Sequence, residues 1–335
     1  MKVSEIGEFG LIEILAGIVE KRRDVKSHSW DNILAGIGDD ATAWKNVSSI
    51  TLATTDCLVQ DVHFRLGQTV WRDLGWKALA INLSDIAAMG GTAEYALVTL
   101  GLSADIEVES MGDLYKGMLE LSDRFGVTIA GGNTTLSKTV FISLTIIGRA
   151  DKRLLRRSAA CPGDLIAVTG YLGAAAAGLR LISDGAPSTA EETPLRQAFL
   201  RPYPRIVEGA IILAAGGHAA IDVSDGLIAD LGHICHASHV AARINVELIP
   251  LHPAARQVFP TQALDMALGG GEDYELLFTA SARVIDKVRD KTSLPVSIIG
   301  EITTDIAREV QILDSNGCPY FFDKTGWDHF GKVLS

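Results

Sequence analysis

A chain of 335 residues with 47% apolar side chains is long enough for about two domains, each with its own core. Its 41 acidic residues against 30 basic ones give a formal charge of -11, which argues against nucleic-acid binding through a general basic surface. The four cysteines, Cys57, Cys161, Cys235 and Cys318, form no CxxC pair, so zinc ribbons and a disulfide framework are disfavoured and a reducing cytoplasm fits best.

The first stretch, MKVSEIGEFGLIEILAGIVEKRR, carries Glu5, Glu8, Glu13 and Glu20 among its apolar positions. That pattern predicts an amphipathic helix over 5–22 rather than a signal peptide or a membrane span. Apolar periodicity then predicts a strand over 50–56, a helix over 71–89, a strand over 95–102, a helix over 107–125 and strands over 127–132 and 140–148. A basic, strand-poor segment, RADKRLLRRSAACPGD, ends in the turn signal Pro162-Gly163-Asp164 and marks a domain boundary, dividing 1–150 from 151–335. Beyond it the pattern gives a strand over 164–170, helices over 173–183 and 204–215, a strand over 219–224, a helix over 226–237, and strands over 274–280 and 296–302. Alternation of this kind means α/β or α+β, not a helical bundle. The run GAIILAAGGHAAI (209–221) is too short to cross a bilayer. NLSDIAAMG (82–90) faintly echoes DVSDGLIADLG (222–232), a weak sign of duplication.

Acids recur beside glycine turns and at strand ends: Asp39 and Asp40 in GIGDD, Asp56 in LATTD, Asp85 in NLSD, Asp222 and Asp225 in IDVSDG, Glu272 and Asp273 in GGGEDYE. Glycine lets backbone amides approach a phosphate, and carboxylates hold the magnesium that accompanies it. A single Asp beside Gly is better read as a solvated turn or a cap. Asp56, Asp85 and Asp222 sit in apolar segments, where an unpaired acid is expensive, and shared metal ligation is the better reading for that set. Thr54 and Thr55 precede Asp56 at an expected strand end, Asp222 and Ser224 are two apart on an expected strand, and Asn82 and Asp85 are three apart on an expected helix. Asp230, five residues beyond Asp225, is expected to face solvent. The chain has no GxxxxGK[ST] and no GxGxxG after a strand, so a P-loop, a dinucleotide fingerprint and a protein-kinase loop are all missing. Phosphate charge must then be offset chiefly by metal, with arginines such as Arg157 helping.

The ordered blocks GEFGLI, GIGDDA, TTDCLVQDVHF, WKALAINLSDIAAMGG, AGGNTT, RRSAACPGD, VTGYLGAAAAGL, IDVSDGLIADLGHI, GGGEDYELLFT, IGEIT and WDHF resemble the thiamine-monophosphate kinase family over about residues 7–330. This family belongs to the wider aminoimidazole ribonucleotide synthetase-like group. The resemblance implies a two-domain α/β (α+β) fold whose amino-terminal domains, 1–150, bind ATP and magnesium and pair into a homodimeric β-barrel. The carboxy-terminal domain, 151–335, would complete the nucleotide and substrate cleft. It implies transfer of the terminal phosphoryl group of ATP to thiamine monophosphate, with two or more Mg2+ ions, in the cytoplasm and with neither nucleic-acid nor membrane partners. Magnesium ligands are implied at Asp40, Thr54, Thr55, Asp56, Asp85, Asp222 and Asp225. Nucleotide contacts are implied at Tyr115, Gly131, Gly132, Arg157 and Ser224, and acceptor contacts at His63, Glu272 and Trp327. The family's usual Gly-Gly-Asp-Thr is Gly131-Gly132-Asn133-Thr134 here, so Asn133 offers the metal an amide oxygen without a charge.

An acceptor that is already a phosphate monoester needs no general base, so no catalytic His-Asp pair is expected and His63 reads as a substrate contact. His218, His233, His236 and His239 show no zinc spacing and read as structural. A catalytically silent sensor is the competing class, motivated by Asn133; retention of nearly every other acid favours the enzyme.

Overall fold

The computed structural model describes residues 32–46, 49–185, 189–304 and 309–322, together with residues 10, 12 and 14. Apart from those three positions, the helix expected over 5–22 lies outside the described residues, as does Trp327.

Two six-stranded sheets organise the chain. The first contains β1 (Ile33–Ala35), β2 (Thr42–Lys45), β3 (Ile50–Val59), β4 (Thr92–Leu102), β5 (Thr128–Leu136) and β6 (Phe141–Ala150), in the order β1-β2-β3-β6-β4-β5. Along β6, Ile142, Leu144 and Ile146 are buried while Ser143, Thr145 and Ile147 are only partly so, the alternation of a sheet with one covered face. The cover consists of α1 (Trp71–Ala88) and α2 (Val108–Phe125). These two helices touch backbone to backbone: a Cβ on Gly75 would lie 1.8 Å from the Leu114 carbonyl oxygen, and one on Gly117 1.8 Å from that of Arg72. The opposite face leaves Tyr95 and Leu97 exposed, and β5 ends the sheet with a free edge among the described residues. Among the described residues the first sheet is open and does not close into a barrel.

The second sheet contains β7 (Leu165–Thr169), β8 (Ala219–Asp222), β9 (Ala241–Asn245), β10 (Leu276–Ala280), β11 (Val296–Thr303) and β12 (Val310–Leu313), in the order β12-β9-β11-β7-β10-β8. Between these strands run α3 (Ala174–Ser183), α4 (Thr193–Leu200), α5 (Ile206–Ala215), α6 (Leu227–Ser238), α7 (Pro253–Val258), α8 (Ala263–Gly269) and α9 (Ala282–Arg289). Among the described residues no helix is long and apolar enough to cross a membrane.

Helix α1 is buried on nearly every side because the second half covers what the first sheet does not. Ala87 and Ala88 share a core with Ile212 and Phe278, and the Trp76 indole N–H donates to the Pro202 carbonyl at 2.7 Å. A Cβ on Gly209 of α5 would lie 2.1 Å from the Ala87 carbonyl oxygen, so these two helices also meet at backbone distance.

Three of the element ends that differ from the sequence expectation bear on the site. β3 continues through Val59 instead of ending at Asp56, because β6 pairs with it along its whole length. β8 stops at Asp222, which leaves Ser224 in a loop rather than on the same strand face. β10 starts at Leu276, since Glu272 and Tyr274 have φ of 69° and 50°, a left-handed backbone that no strand accepts.

Candidate active site

A cleft of about 700 Å3 opens where α1 and β3 of the first half face β8, α6 and the loop 269–275 of the second. Among the described residues lining it, Arg157 is the one permanent cation, set against Asp39, Asp40, Asp56, Asp85, Asp222, Asp225, Asp230 and Glu272.

Part of the cleft is built from carboxylates. Ligand oxygens of Asp40, Asp85 and Asp222 lie within 4.8 Å of one another, although they come from the loop after β1, from α1 and from the end of β8. Arg157 grips Asp40 with its fork, Nη2 at 2.7 Å from Oδ1 and Nε at 3.1 Å from Oδ2. Its backbone N–H donates to Asp39 at 3.0 Å. Burial works against the guanidinium charge, and Asp40 outweighs it, so Arg157 remains cationic. The Thr54 hydroxyl donates to Asp85 at 2.6 Å, and the Asp56 N–H donates to the Asn82 amide oxygen at 3.0 Å. The Thr55 hydroxyl instead donates to the Leu144 carbonyl at 2.9 Å, within the sheet. Burial, then Asp56, Asp222 and Asp40, push the Asp85 carboxyl well above its usual range. Burial, then Asp40, do the same to Asp222. Each like-charge pair about 4 Å apart costs about 4 kcal/mol at an effective dielectric near 20, more than one arginine can offset for the set. Hard carboxylate and hydroxyl oxygens in excess over positive charge fit magnesium.

Asp230 corrects the expectation that it faces solvent: it is 1% exposed. Its Oδ2 accepts the N–H groups of Ser224, Asp225 and Gly226 at 3.0, 3.2 and 3.1 Å. It points inward because α6 begins only at Leu227, so Asp225 is not on the helix and the two side chains share no helical wheel. The signal available was an Asp four residues after Gly226, placed to cap the turn from inside its own helix.

Leu58, Val62, Ile81, Leu179 and Phe199 add apolar walls to the same cleft. His63 and Glu272 also line it. The Val59 N–H donates to His63 Nδ1 at 3.0 Å, so any proton on the neutral ring sits at Nε2. Glu272 Oε1 lies 2.7 Å from the ammonium of Lys77, a buried residue of α1 that sequence reasoning missed. Its signal was present: a lysine inside the apolar run WKALAINLSD needs an anion. Next to Glu272, a Cβ on Gly271 would lie 2.3 Å from the Ser224 carbonyl oxygen, so only glycine allows this loop to close on 223–225. Asp273 turns away and accepts the N–H groups of Gly173 and Ala175 at 2.7 and 3.0 Å, at the start of α3. Burial pushes its carboxyl up to about 7, against those two hydrogen bonds.

The cleft thus gathers Asp40, Thr54, Thr55, Asp56, His63, Asp85, Arg157, Asp222, Ser224, Asp225 and Glu272. It does not gather Gly131, Gly132 and Asn133, which lie in the exposed edge strand β5, nor Tyr115, which packs on the core of the first half. Sequence order cannot show this, since β5 pairs among the described residues with β4 alone, at the edge of the sheet away from β3. Of the histidines expected to be structural, His233 lines the cleft, with burial first and then Arg157 holding its pKa down to about 4. His218 hydrogen-bonds Asp164 at 2.8 Å.

Residues 38–150 match the AIR synthase related protein, N-terminal domain, and residues 161–312 match the corresponding C-terminal domain. The fold and its carboxylate cleft therefore define a two-domain AIR synthase related protein. The thiamine-monophosphate kinase of Escherichia coli O157:H7 is 40% identical over 97% of this chain and 98% of its own. A solved structure described as AaThiL complexed with AMPPCP and TMP superposes with a TM-score of 0.85 at 32% identity, covering 98% of this chain and 99% of that one. The thiamine-monophosphate kinase from Stenotrophomonas maltophilia K279a has a TM-score of 0.75 at 37% identity, with 91% and 96% covered. The chain belongs to the thiamine-monophosphate kinase family.

Proposed function

We propose that the protein transfers the terminal phosphoryl group of ATP to the phosphate of thiamine monophosphate, giving thiamine diphosphate and ADP in the last step of thiamine diphosphate biosynthesis. The observation that carries this reading is one cleft that combines a carboxylate cluster with apolar wall residues. A polyphosphate needs the first, through cations held there, and a flat cationic heterocycle suits the second. The relatives named above identify the two substrates: the kinase name gives the acceptor, and the AMPPCP and TMP complex pairs an ATP analogue with a phosphate monoester.

Asp40, Asp56, Asp85, Asp222 and Asp225, with Thr54, would hold magnesium, and Thr55 and Asn133 complete the proposed ligand set. Bound magnesium, in two or more ions, would supply the charge compensation that lets two polyanions meet. Arg157, held by Asp40, directs its remaining N–H donors at the nucleotide phosphates, and Ser224 adds a hydroxyl beside them. The acceptor oxygen is already deprotonated near neutral pH, so no side chain has to remove a proton. It attacks the terminal phosphorus in line, the bond to the bridging oxygen breaks, and ADP carries away that electron pair. His63 and Glu272 orient the acceptor, and Trp327 is assigned to the same role.

We also take 1–150 as the ATP-binding and dimerisation domain and 151–335 as the domain that completes the cleft. Pairing of two copies through the exposed face and free edge of the first sheet is the arrangement that gives Tyr115, Gly131, Gly132 and Asn133 a ligand to meet. Phosphorus NMR of purified protein with ATP, magnesium and a panel of phosphate monoesters tests the activity. A diphosphate resonance that appears only with thiamine monophosphate supports the reading, and its failure to appear refutes it.

A further inference from the structure

We propose that Lys77 is a positioning residue for the acceptor, which fixes the Glu272 carboxylate in the wall of the cleft without itself touching substrate. The inference rests on the reading above that Glu272 meets the acceptor.

Lys77 is 2% exposed on α1, flanked along the helix by Trp76, Ala78 and Ile81 where it packs between the two halves. Its ammonium lies 2.7 Å from Glu272 Oε1 and 3.7 Å above the centre of the Phe199 ring. An ammonium in that setting is stable only because a carboxylate and an aromatic face replace its water. A hydrophobic residue would serve the packing of α1 equally well, so the charge needs another explanation. Its partner supplies one. Glu272 lines the cleft, and its backbone is held in the left-handed region with φ of 69° while its N–H donates to the Ser224 carbonyl at 2.8 Å. The backbone of Glu272 is therefore tied to one side of the cleft and its side chain to the other, through Lys77. With Oε1 occupied by the lysine, the second carboxylate oxygen is left with a defined direction for the acceptor. Removing the ammonium would free that carboxylate to rotate, and the loss would fall on acceptor recognition rather than on the nucleotide.

The test uses the full-length protein, with steady-state kinetics in both substrates and calorimetric titration of thiamine monophosphate in the absence of ATP. K77M is expected to raise the KM and the Kd for thiamine monophosphate by about tenfold or more, while KM for ATP stays within about twofold. An unchanged acceptor KM, or equal rises for both substrates, would overturn the inference, the second because it marks a general structural defect. E272Q and the double variant K77M/E272Q cover the case in which K77M alone does not fold, because the double variant removes both members of the pair and leaves no unpaired buried charge. If Lys77 acts only through Glu272, the double variant has the acceptor KM of E272Q; a further several-fold rise overturns the inference. Wild-type protein that makes no thiamine diphosphate sinks the functional reading and this inference together, whereas wild-type turnover with an unshifted K77M sinks only this inference.

Discussion

Arg157 and Asp40 form a two-pronged ion pair at the mouth of the carboxylate cluster, with the Asp40 side chain fully buried and that of Arg157 19% exposed. The pair joins the segment between the two sheets to the glycine turn that follows β1. It is both a structural tie and a fixed positive charge in direct contact with one of the clustered acids.

Breaking this pair by R157M is expected to destabilise the protein by about 3–5 kcal/mol, because it strands a buried carboxylate among like charges. R157K keeps the charge but not the fork, so it should retain most of the stability and lose at least about tenfold in kcat/KM for ATP. Denaturant unfolding together with steady-state kinetics separates the two effects.

Asp222 opposes function to stability. Its carboxyl is raised above the unfolded value of 3.8, so the folded chain holds that proton more tightly than the unfolded chain does. The destabilising effect is therefore absent below 3.8 and grows as pH rises through the raised value. Chelator-treated protein should lose melting temperature as pH rises above 3.8, and D222N should flatten that loss. Magnesium should restore the wild type at the upper end and leave D222N unmoved, while turnover by D222N is abolished. A calorimetric melting series with and without magnesium, paired with an activity assay, checks all three outcomes.

Asp230 holds a loop in place. D230A orphans three backbone N–H groups that it now accepts, at about 1–3 kcal/mol for each buried donor. The variant should unfold at markedly lower denaturant, and amide exchange at 224–226 should speed up before the rest of the second sheet opens. Normal protection at those amides would contradict the role.

The uncovered face of the first sheet predicts association. Tyr95 and Leu97 are 49% and 40% exposed on it, beside the free edge of β5. Light scattering should give the mass of two chains for the wild type and of one chain for L97E, with the melting temperature lowered through loss of the partner. A wild-type mass of one chain would remove the dimer.

Much of this architecture is legible in the sequence. The long apolar run WRDLGWKALAINLSDIAA, free of proline, yields α1 to within a residue, and the apolar setting of Asp56, Asp85 and Asp222 identifies three acids that do meet in one cleft. The short elements escape: β1, β2, β9 and β12 have three to five residues each and owe their form to neighbouring strands rather than to local pattern. The short helices α4 and α7–α9 escape likewise, being held by tertiary packing. Lys77 and Glu272 are far apart in the chain, and their pairing depends on how the two halves dock, which periodicity does not report. Asp230 is misplaced because its helix begins one residue later than the pattern suggests, just past the glycine.

Lys77, Ile81 and Asp85 stand four residues apart on α1, so they share one side of a rigid rod. At about 1.5 Å per residue, the eight steps from the first to the third span about 12 Å. On the proposed function, the same helix works as a ruler, one end set by the acceptor's ring through Lys77 and Glu272 and the other by the phosphoryl group. On that reading, acceptors much shorter or longer than this gauge reach one mark and miss the other, which makes molecular length a selection criterion separate from charge.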